Sequence, residues 1–201
     1  GFFAVGAYTT ALLTKAGWPI PVGVAAAALT ADATGALVAL LTARLRSDYL
    51  AIVTLGFSES VRIAAANEIW LTNGSDGIAG IPGPWRGLVA PLVFEQRFLG
   101  IVVVVLVVTF VLLQRLSRSP LGRVWRAIRD DEDVAAVAGK PVQAFKLQAF
   151  ALGAAVLGIA GALYAHDTSY VAPDIFAPLL TLNVILALVA GGLGNNAGAV
   201  L

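Results

Sequence analysis

One stretch of the sequence, residues 98–113, contains no charged side chain and a single polar one, Thr109. A helix needs roughly 17 to 25 largely apolar residues to cross the hydrocarbon core of a membrane, so this stretch is close to one complete span. The rest of the chain has the same bias, because 59% of its residues are hydrophobic and 12% are charged. In soluble domains, about a quarter of the residues are charged. The sequence therefore predicts an integral membrane protein.

Apolar stretches recur along the whole chain and predict an all-α, polytopic bundle of transmembrane helices. We expect about six spans, at residues 1–14, 20–43, 49–66, 98–113, 147–165 and 176–193. The polar, glycine-rich residues 67–97 cannot cross lipid as one exposed element, because their backbone groups would lack hydrogen-bond partners. Since the sequence lacks methionine and is apolar at both ends, we expect residues 1–201 to form a single transmembrane domain that is truncated at both ends.

The composition excludes several classes of function. The chain has no cysteine and a single histidine, His166, so we expect neither disulfides, nor thiolate metal sites, nor a hydrolytic triad. We find no cluster of carboxylates in the spans that would bind a metal. The net charge of +1 indicates no nucleic-acid partner. The sequence therefore favours a membrane component that is not itself an enzyme.

The Lys and Arg side chains predict the orientation. With alternating spans, one side carries Arg44, Arg46, Arg115, Arg118, Arg123, Arg126, Arg129, Lys140 and Lys146. The opposite side carries Lys15, Arg86 and Arg97. Because short cytoplasmic loops are enriched in Lys and Arg, we predict that residues 119–146 are cytoplasmic and that residues 67–97 and His166 face outward.

Residues 119–146 form a long polar run between two apolar ones. Ser119 followed by Pro120 predicts a helix start, with the serine as cap and the proline at the first helical position. The side chains that follow alternate between an apolar face (Leu121, Val124, Trp125, Ile128) and a basic one (Arg123, Arg126, Arg129). This pattern is typical of a helix that lies flat in the membrane interface.

A second, shorter helix is predicted directly after the first, over residues 134–138. Asp131, Glu132 and Asp133 fit its first turn, where carboxylates complement the positive end of the helix, and Gly139 fits a left-handed stop. The small side chains of this helix, Ala135 and Ala136 among them, are compatible with insertion into a groove of another protein. A solvated loop between two spans explains the same composition equally well.

Three ionisable residues lie within the predicted spans. Asp32 is in the second span, and Glu59 and Arg62 are in the third. Glu59 and Arg62 can pair because they are three residues apart on one helix face, and Asp32 on the adjacent span could reach the same region. Charges inside a membrane usually face protein or water, so the three residues are either a neutralised packing cluster or one wall of a translocation path.

Two glycine-rich patterns each allow a structural and a functional interpretation. In the outer segment, Gly74, Asp76, Gly77 and Gly80 could line a re-entrant vestibule that contacts a carboxylate, or could belong to an external loop. In the fifth span, small side chains form a stripe (Ala154, Gly158, Gly161, Ala162). Such stripes allow close helix packing in lipid, and we favour packing over a substrate contact.

Several stretches, in this order and spacing, resemble the LivM-type permeases of branched-chain amino acid ABC importers. The resemblance covers essentially the whole chain. It is carried by GFFAVGAYTTALL, DYLAIVTLGFSESVR, LTNGSDGIAGIPGP, SPLGRVWRAIRDDEDVAAVAGKPVQAFKLQAF leading into GIAGALYAH, and GGLGNNAGAVL. The third of these is the glycine-rich outer segment, and the fourth is the polar run with its two predicted helices.

The resemblance implies roles that the residues alone do not show. The short helix, at about residues 131–139, would be the coupling helix that docks on a cytoplasmic ATPase. A second permease subunit, two ATPase subunits that bind ATP and Mg²⁺, and an extracytoplasmic substrate-binding protein are implied as partners, in the cytoplasmic (inner) membrane of a bacterium or archaeon. This chain would bind no cofactor itself.

The resemblance leaves the transported molecule open. Asn183 stands where many relatives have an acidic residue, and we group it with Asp32, Glu59 and Arg62 as a residue of the translocation path. The favoured function is transport of leucine, isoleucine or valine. A permease for urea or short amides shares these motifs, and an ion-coupled secondary carrier built around Asp32, Glu59 and Arg62 is a further alternative.

Overall fold

A computed structural model of the chain describes residues 1–42, 47–86 and 90–191. Most of these residues are helical, as the sequence predicts. The elements in chain order are α1 (Phe2–Lys15), α2 (Ile20–Leu41), α3 (Ser47–Asn67), α4 (Ile69–Thr72), a first 3₁₀ turn (Gly74–Asp76), β1 (Ile78–Ala79), α5 (Pro91–Arg118), α6 (Pro120–Asp130), α7 (Glu132–Val137), α8 (Val142–Thr168), β2 (Tyr170–Val171), a second 3₁₀ turn (Pro173–Phe176) and α9 (Pro178–Gly191).

Within the described ranges, 4 helices are long and apolar enough to cross a membrane. These segments are Ile20–Leu41, Tyr49–Asn67, Leu92–Arg118 and Val142–Thr168. The first and sixth predicted spans correspond to α1 and α9, of 14 residues each, and the glycine-rich residues 192–201 lie outside the described residues. The predicted all-α, polytopic membrane architecture is confirmed.

Helix α5 begins earlier than the sequence predicts. Its first residue is Pro91 rather than residue 98, so the end of the predicted non-spanning segment is helical. The prediction failed because Glu95 and Arg97 were taken as the end of a polar loop. Charged residues do not stop a helix, and proline fits the first helical position, where its missing N–H costs nothing.

Helices α1, α2 and α8 pack closely through small side chains and form the centre of the bundle. Ala154 and Ala162 in α8 are buried. A Cβ atom added to Gly158 would lie 2.5 Å from Ala31 Cβ and 2.6 Å from the carbonyl oxygen of Ala27, both in α2. Contacts this short leave no room for a side chain, so the stripe in the fifth predicted span is a packing surface, as favoured above.

Two segments, residues 68–86 after α3 and residues 169–177 after α8, fold over the same end of the bundle and are called the cap here. They are joined by β1 and β2, which pair antiparallel with Ile78 opposite Val171. Ile78, Ile81 and Val171 are buried in one cluster with alanines of α1 and α8. The cap is therefore an ordered cover on the helix ends, and α6 and α7 lie at the opposite end of α8.

His166 connects the cap to the helices. Its ring is 1% exposed. The Nδ1 atom is 2.8 Å from the carbonyl oxygen of Pro82 in the cap, and Nε2 is 3.0 Å from the Thr10 hydroxyl in α1. Because a carbonyl can only accept a hydrogen bond, Nδ1 carries the proton and, in the neutral ring, Nε2 accepts from Thr10. One side chain thus joins α1, α8 and the cap.

Candidate functional site

Helix α6 begins as the sequence predicts. The Ser119 hydroxyl accepts a hydrogen bond from the Gly122 amide at 3.3 Å, with Pro120 at the first helical position. The predicted apolar face is half-buried, whereas the three arginines of the basic face are exposed. Trp125 from the apolar face donates from Nε1 to the Phe145 carbonyl at 3.0 Å. Helix α6 is thus fixed against the first turn of α8.

Helix α7 is held in place by two of the acidic residues that precede and begin it. Asp131 caps the helix, because its Oδ1 atom accepts from the amides of Asp133 and Val134 at 3.0 Å each. Glu132 forms an ion pair with Lys146 in α8. Gly139 has φ +76°, the left-handed conformation predicted for the residue that stops the helix.

The predicted docking residues do not share one face of α7. Ala135 is 4% exposed and faces the protein, whereas Asp133 and Ala136 are exposed. The most prominent side chains are Val134, 64% exposed, and Val137, 91% exposed. The sequence analysis did not single out these two valines, although Val134 and Val137 are three residues apart and so lie on one helix face.

An open depression of about 530 Å³ lies beside α7. The residues that line it are Glu132, Asp133, Ala136, Lys140, Pro141, Val142, Gln143 and Ala144. Together with the exposed valines, this depression gives the α7 end a surface with apolar, acidic and basic groups. A surface of this kind can bind another protein.

The predicted pair in α3 forms, but with a different third partner. Arg62 Nη2 is 2.6 Å from Glu59 Oε1, and Arg62 Nε is 3.0 Å from Glu59 Oε2. Arg62 Nη1 lies 4.0 Å from Asp174 Oδ1 in the second 3₁₀ turn. Because that turn belongs to the cap, the pair is near the cap end of α3.

The other two predicted translocation residues, Asp32 and Asn183, lie on α2 and α9. Asp32 is half-buried. Helix α2 packs mainly on α1 and α8, and within the described residues Asp32 makes no ion pair with Glu59 or Arg62. That Asp32 could reach the region of this pair stays a prediction. Asn183 is exposed on α9.

The glycines of the outer segment shape the cap backbone. Gly74, Gly77 and Gly80 all have positive φ, between 62° and 73°. A Cβ atom at Gly77 would also lie 2.9 Å from Ala172, so both conformation and space require glycine there. Asp76 accepts a hydrogen bond from the Tyr170 hydroxyl through its backbone carbonyl, at 3.0 Å. Contact of these residues with a carboxylate ligand stays a prediction.

The helices define a class of protein: a polytopic, all-α membrane protein with a folded cap at one end and two short polar helices at the other. The sequence family described as "Branched-chain amino acid transport system / permease component" matches residues 1–201. The chain belongs to this family. No solved structure gives a significant match.

Individual relatives agree with the family. The high-affinity branched-chain amino acid transport system permease protein LivM of Escherichia coli K12 is 38% identical over 100% of this chain and 53% of its own length. A probable LivM of Methanocaldococcus jannaschii is 31% identical over 83% of this chain and 48% of its own length. The autoinducer 2 import system permease protein LsrC of Escherichia coli O9:H4 is 26% identical over 94% of this chain and 53% of its own length. The chain thus spans about half the length of these relatives.

Proposed function

We propose that this chain is part of the permease subunit of an ABC importer that moves leucine, isoleucine and valine into a bacterial or archaeal cell. The family match over residues 1–201 supports this proposal, as do the names of the LivM relatives. In this assembly a second permease subunit completes the pathway, and an extracytoplasmic binding protein delivers the substrate. Two ATPase subunits bind and hydrolyse ATP with Mg²⁺, so the chain itself carries out no chemistry.

The observation that carries the proposal is the surface of α7. A valine that is 91% exposed is common on a span that faces lipid, but Val137 lies on a short helix between polar segments, outside the spans. Its burial in a partner would remove apolar area from water, which is favourable by about 25 cal/mol per Å². The helix-capping hydrogen bonds of Asp131 and the ion pair between Glu132 and Lys146 keep this surface in a fixed position before binding. We assign it to contact with the ATPase in the cytoplasm.

Energy coupling tests the proposal. The full-length protein is reconstituted with its partner subunits in proteoliposomes, and uptake of labelled L-leucine is measured with ATP inside or with a protonophore. We expect uptake to require hydrolysable ATP and to continue after the proton gradient has collapsed. Uptake that does not require ATP and that stops when the protonophore is added would identify an ion-coupled carrier. Uptake of labelled urea in place of leucine would identify an amide permease.

A further inference from the structure

Three elements bring polar side chains together under the cap. Tyr8 comes from α1, Arg62 from α3 and Asp174 from the second 3₁₀ turn. Arg62 Nη1 is 4.0 Å from Asp174 Oδ1, and the Tyr8 ring packs against Phe176, two residues after Asp174. These side chains, which are far apart in the sequence, converge on one small region.

The Tyr8 hydroxyl has no partner there. Tyr8 is 7% exposed, and its oxygen forms no hydrogen bond with any residue in the described ranges. Buried hydroxyls are nearly always hydrogen-bonded, because an unpaired one loses its hydration without compensation. If Tyr8 served only to pack against Phe176, whose ring centroid is 5.8 Å away, phenylalanine would serve better. The hydroxyl therefore indicates an additional group that binds here.

The neighbouring charges have unused hydrogen-bonding capacity. Arg62 donates to Glu59 from Nε and Nη2, and within the described part of the chain its Nη1 makes no hydrogen bond. The Nη1 to Asp174 distance of 4.0 Å is too long for one. The Asp174 side chain is 90% exposed. The cluster thus offers donors at Arg62 and Tyr8 and a carboxylate acceptor at Asp174.

Apolar side chains lie next to these groups. Phe176 is buried, and Val61 and Ile175 pack against the same hydrophobic cluster as Tyr8. A small ligand with one carboxylate, one ammonium group and an aliphatic side chain would satisfy every feature of this region. A guanidinium binds carboxylate strongly, and the exposed Asp174 carboxylate, which makes only a long ion pair with Arg62, attracts an ammonium group.

We propose that Tyr8, Arg62 and Asp174 form a binding site for the zwitterionic head group of an aliphatic amino acid, where the substrate enters the permease from the cap end. The substrate carboxylate binds to Arg62 Nη1 and the Tyr8 hydroxyl, and its ammonium group binds to Asp174. Glu59 orients Arg62 without contact with the substrate. This site rests on the proposed function, since it assigns the place at which that transporter first holds its substrate.

Two variants test the site in the complete transporter. Tyr8→Phe deletes the unpartnered hydroxyl, and Asp174→Asn removes the charge of an exposed side chain. The control is Tyr164→Phe, which removes a hydroxyl in the apolar groove between α5 and α8. Maximal L-leucine uptake, ATP hydrolysis and Tm are measured with saturating binding protein.

We expect both site variants to reduce maximal uptake about ten-fold, as loss of one hydrogen bond to a charged group predicts, with unchanged Tm and continued ATP hydrolysis. The control should transport like the parent. The Tyr8 hydroxyl makes no hydrogen bond with the described residues, so its removal should reduce uptake only if it binds the substrate. Normal uptake by both Tyr8→Phe and Asp174→Asn would therefore overturn the site. If Tyr8→Phe does not accumulate, the surface variant Asp174→Asn decides alone. A parent transporter that takes up no leucine would instead refute the proposed function.

Discussion

At the scale of single residues, the bundle depends on positions without a side chain. Gly158 is in contact with the backbones of two other helices: its added Cβ would meet α2, and Gly6 of α1 packs against it from the other direction. Helices in lipid associate mainly through such close contacts, because burial from water gives no driving force there. Gly153, five residues earlier in α8, has open space around it. The two glycines therefore allow a matched comparison.

We predict opposite effects of alanine at these two glycines. Gly158→Ala should lower the Tm of the purified protein, because overpacking typically costs about 1–3 kcal/mol. Gly153→Ala should leave Tm unchanged or raise it, since alanine has a higher helix propensity by up to about 1 kcal/mol. Thermal unfolding of both variants in the same detergent checks the prediction. Equal Tm values would show that α2 and α8 are not packed as described.

His166 is a second residue whose effect can be measured locally. His166→Leu leaves the Pro82 carbonyl and the Thr10 hydroxyl without their partner. Each unsatisfied buried group costs about 1–3 kcal/mol, so we expect faster amide hydrogen exchange in residues 78–81, which directly precede Pro82. Thr10→Val, which removes one of the two bonds, should have a smaller effect in the same experiment. Unaltered exchange in both variants would mean that the cap is held by its apolar residues alone.

At the scale of elements, the sequence correctly predicted the features that involve residues close together in the chain. Three predicted features are present: Ser119 caps the start of α6, Gly139 ends α7, and Glu59 pairs with Arg62. Each of them involves residues within four positions of each other. The contact between Arg62 and Asp174 could not be predicted, because it joins residues from different elements. For the same reason, the sequence could not predict the pairing of β1 with β2 or the lack of a hydrogen-bond partner for the Tyr8 hydroxyl. The exposed face of α7 was missed because the prediction rested on composition rather than on which side chain faces inward.

Helix α7 provides the prediction at this scale. Val137→Asp should abolish co-purification of the ATPase and leucine uptake, because a carboxylate would be buried in an apolar contact. Ala127→Asp, at an exposed position of α6, adds the same charge outside α7 and should retain both activities. Ala135 is unsuitable as a test residue, because it faces the protein and a bulky replacement would disturb α7 itself. Normal ATPase recovery with Val137→Asp would place the docking surface elsewhere.

At the scale of the whole molecule, the bundle has two different ends. The cap occupies one end, and α6 and α7 occupy the other, with α8 between them. The Lys and Arg bias predicts that the α7 end lies in the cytoplasm. The chain contains no cysteine, so a single introduced thiol can report on each end.

We predict opposite accessibility for two such thiols. Ser75→Cys, at an exposed position in the cap, should react with a membrane-impermeant maleimide in intact cells. Asp133→Cys, exposed at the α7 end, should react only after the membrane has been permeabilised. The parent protein provides the background signal. Labelling of Asp133→Cys from outside would reverse the orientation and remove the basis for ATPase docking.

Helix α8 runs from one end of the molecule to the other. Its 27 residues, Val142–Thr168, contain no proline, and at 1.5 Å per residue they extend for about 40 Å. Its first turns bind α6 and α7 through the Phe145 carbonyl and Lys146, and its last turns bind the cap through His166. The helix is therefore one continuous element without a proline kink. Under the proposed function, a displacement that the ATPase imposes on α7 would be transmitted through α8 to the cap at the opposite end of the molecule.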